Sequence, residues 1–541
     1  MLIMEQKKFS ENGKFNNSQI EFPDDIKDFA CIIDDILYVV DTKKNSASCI
    51  NFVSWLKKSG RISKKIVVTF PQLKQKKRQA EEAVKTNNVS HTNDVDTSDV
   101  VKFAVDIIDQ AARTNTSDIH IRSHADFSDI LFRIDGSLRI IKHVSTPFAK
   151  LLFSTIYTVL AEGDSASHPY YQPNAFQDAR IVDFEYLPTN VHSVRIASGA
   201  KVGGNFMVLR LLYAETEETS GSLEDRLGDL GYSSKQVNTI AFMKSRPTGI
   251  NIIAGPTGSG KSTTLKHNME AISQERPDQN IMSVEDPPEY PMYGVVQIPV
   301  TNTEGNEERE NAFGAAIRMA LRSDPDIIMI GEIRDQESAL LSFRAAQTGH
   351  QVWTTLHANS AFGIITRLVD ILASETLSDP YTYISDPTIL TGLIFQKLVR
   401  TICPYCKIPL VGNEDKISSN VLGRLSRVID IQETNVHIKG PGCHECNRTG
   451  ILGRTIVSET VSPDPEMLKI MRREKSVEAA RQYWLEKQEG KTYLHHAIVK
   501  IAKGELDPAE TEKSVGPLVQ DLIFSDGVLE EKEIDEINVC Y

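Results

Sequence analysis

The chain has 541 residues, of which 40% are hydrophobic and 25% charged, and its formal net charge at pH 7 is -13. This length allows several domains, and the composition is that of a folded globular protein. The negative balance argues against a surface that wraps nucleic acid, although it leaves room for a local basic channel. No apolar stretch reaches the ~20 residues that cross a bilayer, and the first residues, MLIMEQKKFSENGKF, lack a signal-peptide core and cleavage site. We therefore expect a cytoplasmic protein that meets a membrane only through a partner.

Residues 1–71 carry mixed patterning that predicts a small N-terminal, partner-binding domain. Ala30 to Val40 reads as one or two strands, and a helix is predicted to begin between Ile50 and Leu56. Residues 72–99 are polar with little to bury, which predicts a flexible linker whose first half, LKQKKRQAEEAVK, has helical character. Acidic residues follow its Lys/Arg cluster closely, which favours a solvated helix face over the alternative of a phosphate or lipid-headgroup site.

Residues 100–219 predict an α+β domain, because apolar residues at helical spacing, from Val101 to Ala112, are followed by short strand-like segments. Residues 220–400 predict an α/β core. Residues 401–455 form a cysteine-bearing subdomain, and residues 456–541 a helical region that ends in the acidic segment GVLEEKEIDEINVCY.

A glycine-rich loop, GPTGSGKST, lies between an apolar strand, Ile250 to Ala254, and a helical segment, Leu265 to Ile272. Strand, loop and helix in this order predict a cradle for nucleotide phosphates, since the loop amides and the helix N-terminus attract anions. Lys261 is predicted to neutralise the β- and γ-phosphate oxygens of ATP, and the Ser262 hydroxyl to hold Mg²⁺. The residues assigned to this cradle are Gly255, Pro256, Thr257, Gly258, Ser259, Gly260, Lys261, Ser262 and Thr263.

Two further strand-like runs end in carboxylates. The first delivers Glu285 and Asp286, and the second, Ile327 to Ile330, is followed by Gly331 and Glu332 where a Walker-B aspartate usually stands. In an open α/β sheet such strand ends meet at one edge, so we expect one carboxylate to order Mg²⁺ and its waters and the other to orient the attacking water. A helix cap or a buried ion pair is the structural alternative for Glu285 and Asp286.

His357 follows a third short strand, Gln351 to Trp353, within the polar run TTLHAN. An isolated histidine is more often structural than catalytic. Its place after a strand of the same domain nevertheless suggests that it senses the γ-phosphate.

Four of the seven cysteines form two CxxC pairs, Cys403/Cys406 and Cys443/Cys446. Two such pairs predict a tetrahedral zinc site more strongly than a disulfide scaffold, and a redox CxxC lacks its usual context here. We interpret His444 as a bystander between two ligands. The long segment between the two CxxC pairs implies that the metal stabilises a whole subdomain.

These segments resemble the Walker A, Asp box, Walker B and His box of the secretion ATPase superfamily, which drives type II secretion and type IV pilus assembly. The likeness is carried by GPTGSGKST, SVEDPPEY and ALRSDPDIIMIGEIRDQESALLSFRAAQTGH, and it extends to TSDIHIRS, FRIDGSLR, QDARI and VLRLL in the preceding domain. It implies a RecA-like P-loop ATPase domain, a preceding α+β (PAS-like) domain, a zinc subdomain with four cysteine ligands and a small N-terminal domain.

The resemblance also implies residue roles. Glu332 is then the principal catalytic carboxylate, Glu285 assists at metal and water, and His357 couples to the nucleotide state. Arg195 and Arg210 match arginines that reach the phosphates in this family, where a guanidinium stabilises developing charge. The sequence SVRIASGAKVGG lacks the proline that usually follows the first arginine.

Within the family, LVRTICPYC and GCHECNRTGILGR match the metal-binding subdomain of assembly-type ATPases, which retraction-type motors generally lack. The implied protein is a cytoplasmic homo-hexamer, peripherally associated with the inner membrane. It acts on an inner-membrane platform protein and on another cytoplasmic-face component of the pilus or secretion apparatus, with ATP, Mg²⁺ and Zn²⁺ as cofactors and no nucleic-acid partner.

Two other functional classes stay open from the sequence alone. A nucleic-acid motor or DNA-transfer ATPase is the main alternative, which the acidic balance and the lack of an aromatic-basic strand reader argue against. A scaffold that does not hydrolyse nucleotide is the other, and the presence of Lys261, Ser262, Glu285 and Glu332 argues against it.

Overall fold

A computed structural model describes residues 30–33, 36–41, 44, 46–58, 64–69, 97–161, 170–214, 222–300, 306–373 and 379–520. The chain divides into two compact units, Met1–Asp96 and Thr97–Tyr541. The helical half predicted for the linker and the acidic C-terminal segment beyond residue 520 lie outside the described residues.

Within its described residues, the first unit contains a three-stranded sheet and one helix. Its elements are β1 (Ala30–Ile33), β2 (Ile36–Val40), α1 (Ala47–Lys58) and β3 (Lys64–Val68). β1 and β2 pair antiparallel, and β3 pairs parallel to β2 after the α1 crossover. Leu37 and Val39 alternate inward and pack with Cys49 and Leu56 of α1. Ala30 to Val40 therefore forms two strands.

The second unit begins with an α+β domain. Its elements are α2 (Thr97–Arg113), β4 (Asp118–Ser123), β5 (Phe127–Ile134), β6 (Ser137–Ser145), α3 (Thr146–Thr155) with a π-helical turn (Ile156–Leu160), β7 (Gln177–Ile181), β8 (Val191–Lys201) and β9 (Gly204–Tyr213). The six strands are antiparallel in the order β6-β5-β4-β9-β8-β7. One face packs on α2 and α3 through residues such as Ile119 and Ile121. Asp118 and His120, which alternate with them, belong to the opposite face.

The rest of the unit is an α/β domain with helical additions. Its first part contains α4 (Leu223–Leu230), α5 (Ser234–Ser245), β10 (Gly249–Ala254), α6 (Lys261–Glu275), β11 (Ile281–Glu285), β12 (Val296–Pro299), α7 (Asn306–Ala320), β13 (Ile327–Ile330), α8 (Gln336–Gln347), β14 (Gln351–Leu356), α9 (Ala361–Leu372), α10 (Pro380–Ile384) and β15 (Leu390–Ile402). Its second part contains β16 (Ile408–Pro409), a 3-10 turn (Glu414–Lys416), α11 (Ser419–Leu425), β17 (His437–Ile438), β18 (Ile451–Val461), α12 (Pro465–Glu474), α13 (Val477–Lys487), α14 (Tyr493–Ala502) and α15 (Pro508–Val515).

Seven strands form one sheet in the order β12-β11-β13-β14-β10-β15-β18, and only the β15–β18 pair is antiparallel. Every residue of β10, β13 and β14 is buried, because helices cover both faces. The ends of β10, β11, β13 and β14 meet at one edge of this sheet, and the loops that follow them carry the predicted site residues. The predicted fold class, a RecA-like α/β domain preceded by an α+β domain, is confirmed.

Two elements cross the segment boundaries predicted from the sequence. The helix α2 starts at Thr97, inside the predicted linker, because Val100 and Ala104 already face the core. The strand β18 begins at Ile451 and therefore crosses the boundary expected at residue 455. It joins the α/β sheet by pairing with β15, which lies far from it in the chain. Nothing local in the sequence marks such a long-range pairing.

The helices α14 and α15 pack against the cysteine-bearing segment in a separate hydrophobic cluster with α11, β16 and β17. This segment therefore shares its core with the C-terminal helices. Among the described residues, no helix is both long enough and apolar enough to span a lipid bilayer.

Phe132→Ala should test the core of the six-stranded domain, where this ring is fully buried. We expect the free energy of unfolding to fall by about 3–5 kcal/mol, because the change removes apolar burial and leaves a cavity. Phe176→Ala, at a ring that is 80% exposed in the same domain, should change it by less than about 0.5 kcal/mol. Urea denaturation of both variants gives the comparison, and equal losses would contradict this placement of the core.

Candidate nucleotide site and cysteine cluster

The loop after β10 has the backbone of a phosphate cradle. Gly255, Gly258 and Gly260 have φ angles of 155°, 75° and 87°, which side-chain-bearing residues rarely adopt. A Cβ at Gly255 would lie 2.3 Å from the carbonyl oxygen of Gln396, so only glycine lets the loop approach β15 this closely. Gly260 caps α6 without a side-chain hydrogen bond. The first amides of α6 therefore present positive partial charge to an anion.

The Lys261 ammonium folds back over this loop. It donates to the carbonyl oxygens of Gly255 at 2.8 Å and Pro256 at 3.3 Å. Burial lowers the pKa of Lys261, while the charges of Glu332 and Glu289 oppose that shift. A bound phosphate would offer the same ammonium a stronger, charged acceptor.

A cleft of about 910 Å³ lies between the six-stranded and the seven-stranded sheets. Its walls bring together the predicted site residues from both domains, namely Arg195, Arg210, Thr257, Gly258, Ser259, Gly260, Lys261, Ser262, Thr263, Glu285, Glu332 and His357. Gly255 and Pro256 form the base of the loop, through their contacts with Lys261.

Glu285 is a buried carboxylate at the end of β11, only 8% exposed. Its Oε1 accepts from the Ser283 hydroxyl at 2.7 Å and from the Gln297 amide at 2.9 Å. Burial raises the pKa of Glu285, the two hydrogen bonds oppose that shift, and the charge of Glu289 adds to it. The two hydrogen bonds hold this carboxyl in one orientation, and its burial favours the protonated form.

Glu332 follows β13, the strand next to β11, and lies within a polar network. Its Oε1 is 3.2 Å from His357 Nε2, and its Oε2 accepts from Arg334 Nε at 3.0 Å. Arg334 also donates from Nη1 to Asp286 at 3.0 Å, so it ties the carboxylates after β11 and β13 together. Sequence reasoning assigned no role to Arg334, although an arginine two residues after the strand-end glutamate was the available signal.

The two predicted arginines reach the cleft from the six-stranded sheet. Arg195 Nη1 lies 3.7 Å from Glu289, and Arg210 Nε donates to Asp118 at 2.9 Å. The interaction of Arg210 with Asp118 was not anticipated. The predicted residues thus contribute loop amides, an ammonium, a serine hydroxyl, two guanidinium groups and two carboxylates to the cleft. These groups suit a polyphosphate bound with a divalent cation.

The four cysteines of the CxxC pairs converge, with all four sulfur atoms within 4.8 Å of one another. The separations Cys403–Cys443, Cys406–Cys446 and Cys443–Cys446 are 3.7, 3.8 and 3.7 Å. Tetrahedral Zn–S bonds of about 2.3 Å give sulfur separations of about 3.8 Å, so the cluster is compatible with a bound zinc ion.

Backbone amides support the Cys446 thiolate, since Cys443 N–H and Gly450 N–H both donate to its sulfur at 3.2 Å. Donors to sulfur of this kind stabilise a thiolate ligand. The His444 side chain is fully exposed, and the group of converging side chains consists of the four cysteines.

Comparison with known proteins gives one consistent family. Residues 93–520 match the family described as Type II/IV secretion system protein. The type II secretion system protein E of Pseudomonas aeruginosa is 34% identical over 401 residues, 73% of this chain and 72% of its own length. The type II secretion system ATPase E of Vibrio cholerae is 31% identical over 390 residues, 72% of this chain and 70% of its own.

A solved structure agrees with the fold. The X-ray structure of the Yersinia pseudotuberculosis ATPase DotB aligns with a TM-score of 0.50 at 19% identity, covering 76% of this chain and 92% of that one. A likeness at this level of identity shows the fold alone.

Glu285→Gln should remove a pH dependence of stability. Because burial raises the pKa of Glu285 above its ordinary value of 4.5, the folded chain holds this proton more tightly than the unfolded chain. The stabilisation that this proton provides is present in full below the pKa of Glu285 in the unfolded chain. It is lost as pH rises through the pKa of Glu285 in the folded chain. The free energy of unfolding of the unmodified chain, relative to Glu285→Gln, should therefore fall as pH rises above 4.5.

Urea unfolding across a pH series measures this difference. Ser283→Ala provides the matched comparison, because it removes a hydrogen bond that lowers the pKa of Glu285 and should move the loss of stability to higher pH. A difference between the unmodified chain and Glu285→Gln that stays constant with pH would contradict the raised pKa.

Proposed function

We propose, since the chain belongs to the type II/IV secretion system protein family, that it hydrolyses ATP to drive assembly of a type II secretion pseudopilus or a type IV pilus. The observation that carries the proposal is the cleft in which the P-loop, two strand-end carboxylates and the arginines of the neighbouring sheet converge. The relatives named above, which include a type II secretion system ATPase, support the activity and its setting.

In this proposal the loop amides and Lys261 bind the β- and γ-phosphates of ATP, and the Ser262 hydroxyl binds Mg²⁺. Glu332 acts as the principal catalytic carboxylate and orients the attacking water. Glu285 assists from the buried position that Ser283 and Gln297 fix. His357, within 3.2 Å of Glu332, is placed to respond when the γ-phosphate leaves.

Arg195 and Arg210 stabilise charge on the phosphates during transfer. Both belong to the six-stranded domain, whereas the P-loop belongs to the α/β domain. Nucleotide binding then favours one arrangement of the two domains and product release another. This difference supplies the motion that drives assembly.

The remaining features of the proposal follow from family membership. The chain acts as a homo-hexamer at the cytoplasmic face of the inner membrane, through a platform protein and another component of the apparatus. We keep the division into segments 1–71, 72–99, 100–219, 220–400, 401–455 and 456–541 as a working description, with the first segment as the partner-binding domain.

We also propose that Cys403, Cys406, Cys443 and Cys446 hold one structural zinc ion. The subdomain they pin shares a hydrophobic cluster with α14 and α15. The metal thereby supports the end of β15, the strand that packs against the P-loop.

Glu332→Gln should lower kcat for ATP hydrolysis about 100-fold or more, because the amide cannot accept the proton of the attacking water. Steady-state turnover of the full chain is measured with and without single-stranded DNA. Glu337→Gln, at a half-exposed carboxylate paired with Arg318, should leave turnover unchanged. Strong stimulation by DNA would favour a nucleic-acid motor, and unchanged turnover in Glu332→Gln would remove this residue from the catalytic assignment.

Cys446→Ser should reduce bound zinc from about one ion per chain to a small fraction and lower the midpoint of thermal unfolding, because a structural site needs all four ligands. Mass spectrometry of the metal content measures the first effect. Cys31→Ser, in the N-terminal unit, should keep the full zinc content. Zinc bound at full stoichiometry in Cys446→Ser would contradict the four-cysteine site.

A further inference from the structure

A row of charged residues crosses five strands of the six-stranded sheet. Arg133, Asp118, Arg210, Arg195 and Arg180 are successive cross-strand partners on β5, β4, β9, β8 and β7. Directly paired residues of antiparallel strands project from the same face of a sheet. The row therefore places four guanidinium groups and one carboxylate side by side on the face that borders the cleft.

Asp118 is the only acidic member of this row, and its carboxylate is just 8% exposed. Both of its oxygens are engaged. Oδ1 accepts from Arg210 Nε at 2.9 Å, while Oδ2 accepts from the Ser117 hydroxyl at 2.8 Å and lies 3.5 Å from Arg133 Nε. A carboxylate held at both oxygens cannot rotate, so it presents a fixed acceptor to Arg210.

The contact uses one edge of the Arg210 guanidinium and leaves the other edge available. Asp118 engages Nε, and among the described residues no other hydrogen bond of Arg210 occurs. The Nη1 and Nη2 groups thus form the fork that binds two phosphate oxygens at once. Arg210 is 47% exposed, whereas Asp118 lies beneath it, and both line the cleft that contains Lys261.

We propose that Asp118 is a positioning residue that holds Arg210 with its terminal nitrogens directed at the nucleotide phosphates. Without this carboxylate, Arg210 would stand between Arg133 and Arg195 with no opposite charge in the row, and repulsion would turn it towards solvent. The inference rests on the proposed function, in which Arg210 serves the phosphates.

Burial opposes ionisation of Asp118, but its hydrogen bonds from Ser117 and Arg210 and the charges of Arg210 and Arg133 outweigh it and lower its pKa. The carboxylate is therefore charged at neutral pH, which the proposed orientation of Arg210 requires.

A double-mutant cycle on the full chain tests the proposal with Asp118→Asn, Arg210→Ala and the variant that carries both. Asp118→Asn keeps the shape of the side chain and should lower kcat/KM for ATP about 10-fold, mostly through kcat. Because Asp118 acts through Arg210, the double variant should lose no more activity than Arg210→Ala alone. A second cycle measures equilibrium binding of a non-hydrolysable ATP analogue with the same variants.

Asp129→Asn is the matched control. Asp129 is a partly buried carboxylate of the same sheet that contacts His124 and His143, and it does not line the cleft. This change should leave both kcat/KM and analogue binding unaltered. If Asp118→Asn fails to fold, Ser117→Ala replaces it in the cycle. This change should lower kcat/KM by a smaller factor. In the Arg210→Ala background it should cause no further loss.

Losses from Asp118→Asn and Arg210→Ala that multiply in both cycles would overturn the positioning role and leave Asp118 a structural residue. The proposed function fails in a different way, through absence of turnover in the unmodified chain or turnover that survives Lys261→Ala. If the proposed function fails in this way, the cycle that measures binding of the ATP analogue still decides whether Asp118 and Arg210 act together.

Discussion

Gln396, fully buried on β15, donates its side-chain amide to the carbonyl oxygen of Ser259 in the P-loop at 2.8 Å. Its own oxygen accepts from Tyr232 at 2.5 Å and from Thr264 at 3.1 Å, so the amide has one possible orientation. Buried polar groups matched in this way are costly to break. This contact fixes the loop against the sheet, and the positions of Lys261 and the α6 amides follow from it.

The strand β15 connects this anchor to the other parts of the second unit. Four residues beyond Gln396, the Arg400 side chain donates to the carbonyl oxygen of Asp135 in the β5–β6 turn at 2.8 Å. Cys403 of the sulfur cluster follows directly after the strand. One strand therefore contacts the phosphate loop, the arginine-bearing sheet and the metal-compatible subdomain. Arg400 and Asp135 both line the cleft, so this contact between the two domains lies beside the proposed nucleotide site.

The sequence alone located the P-loop, Glu285, Glu332 and His357 at strand ends. A short apolar run followed by polar residues is a pattern of neighbouring residues, so it can be recognised without the fold. Arg334 and Asp118 were given no role, although both contact predicted site residues at 3.0 Å or less. Their partners are fixed by tertiary contacts, and a charged residue in a strand or loop has no sequence pattern that names its partner. The catalytic roles of the predicted residues stay predictions, since only activity measurements test them.

The sequence by itself determined the fold class, the phosphate loop and the convergence of two CxxC pairs, since glycine geometry, apolar periodicity and cysteine spacing are properties of neighbouring residues. Only the tertiary structure decided that β18 completes the sheet and that Gln396 holds the loop. It also decided that Asp118 stands among four arginines. Each of these depends on strand register between segments far apart in the chain, and register is set by the packing of whole faces, not by any local pattern.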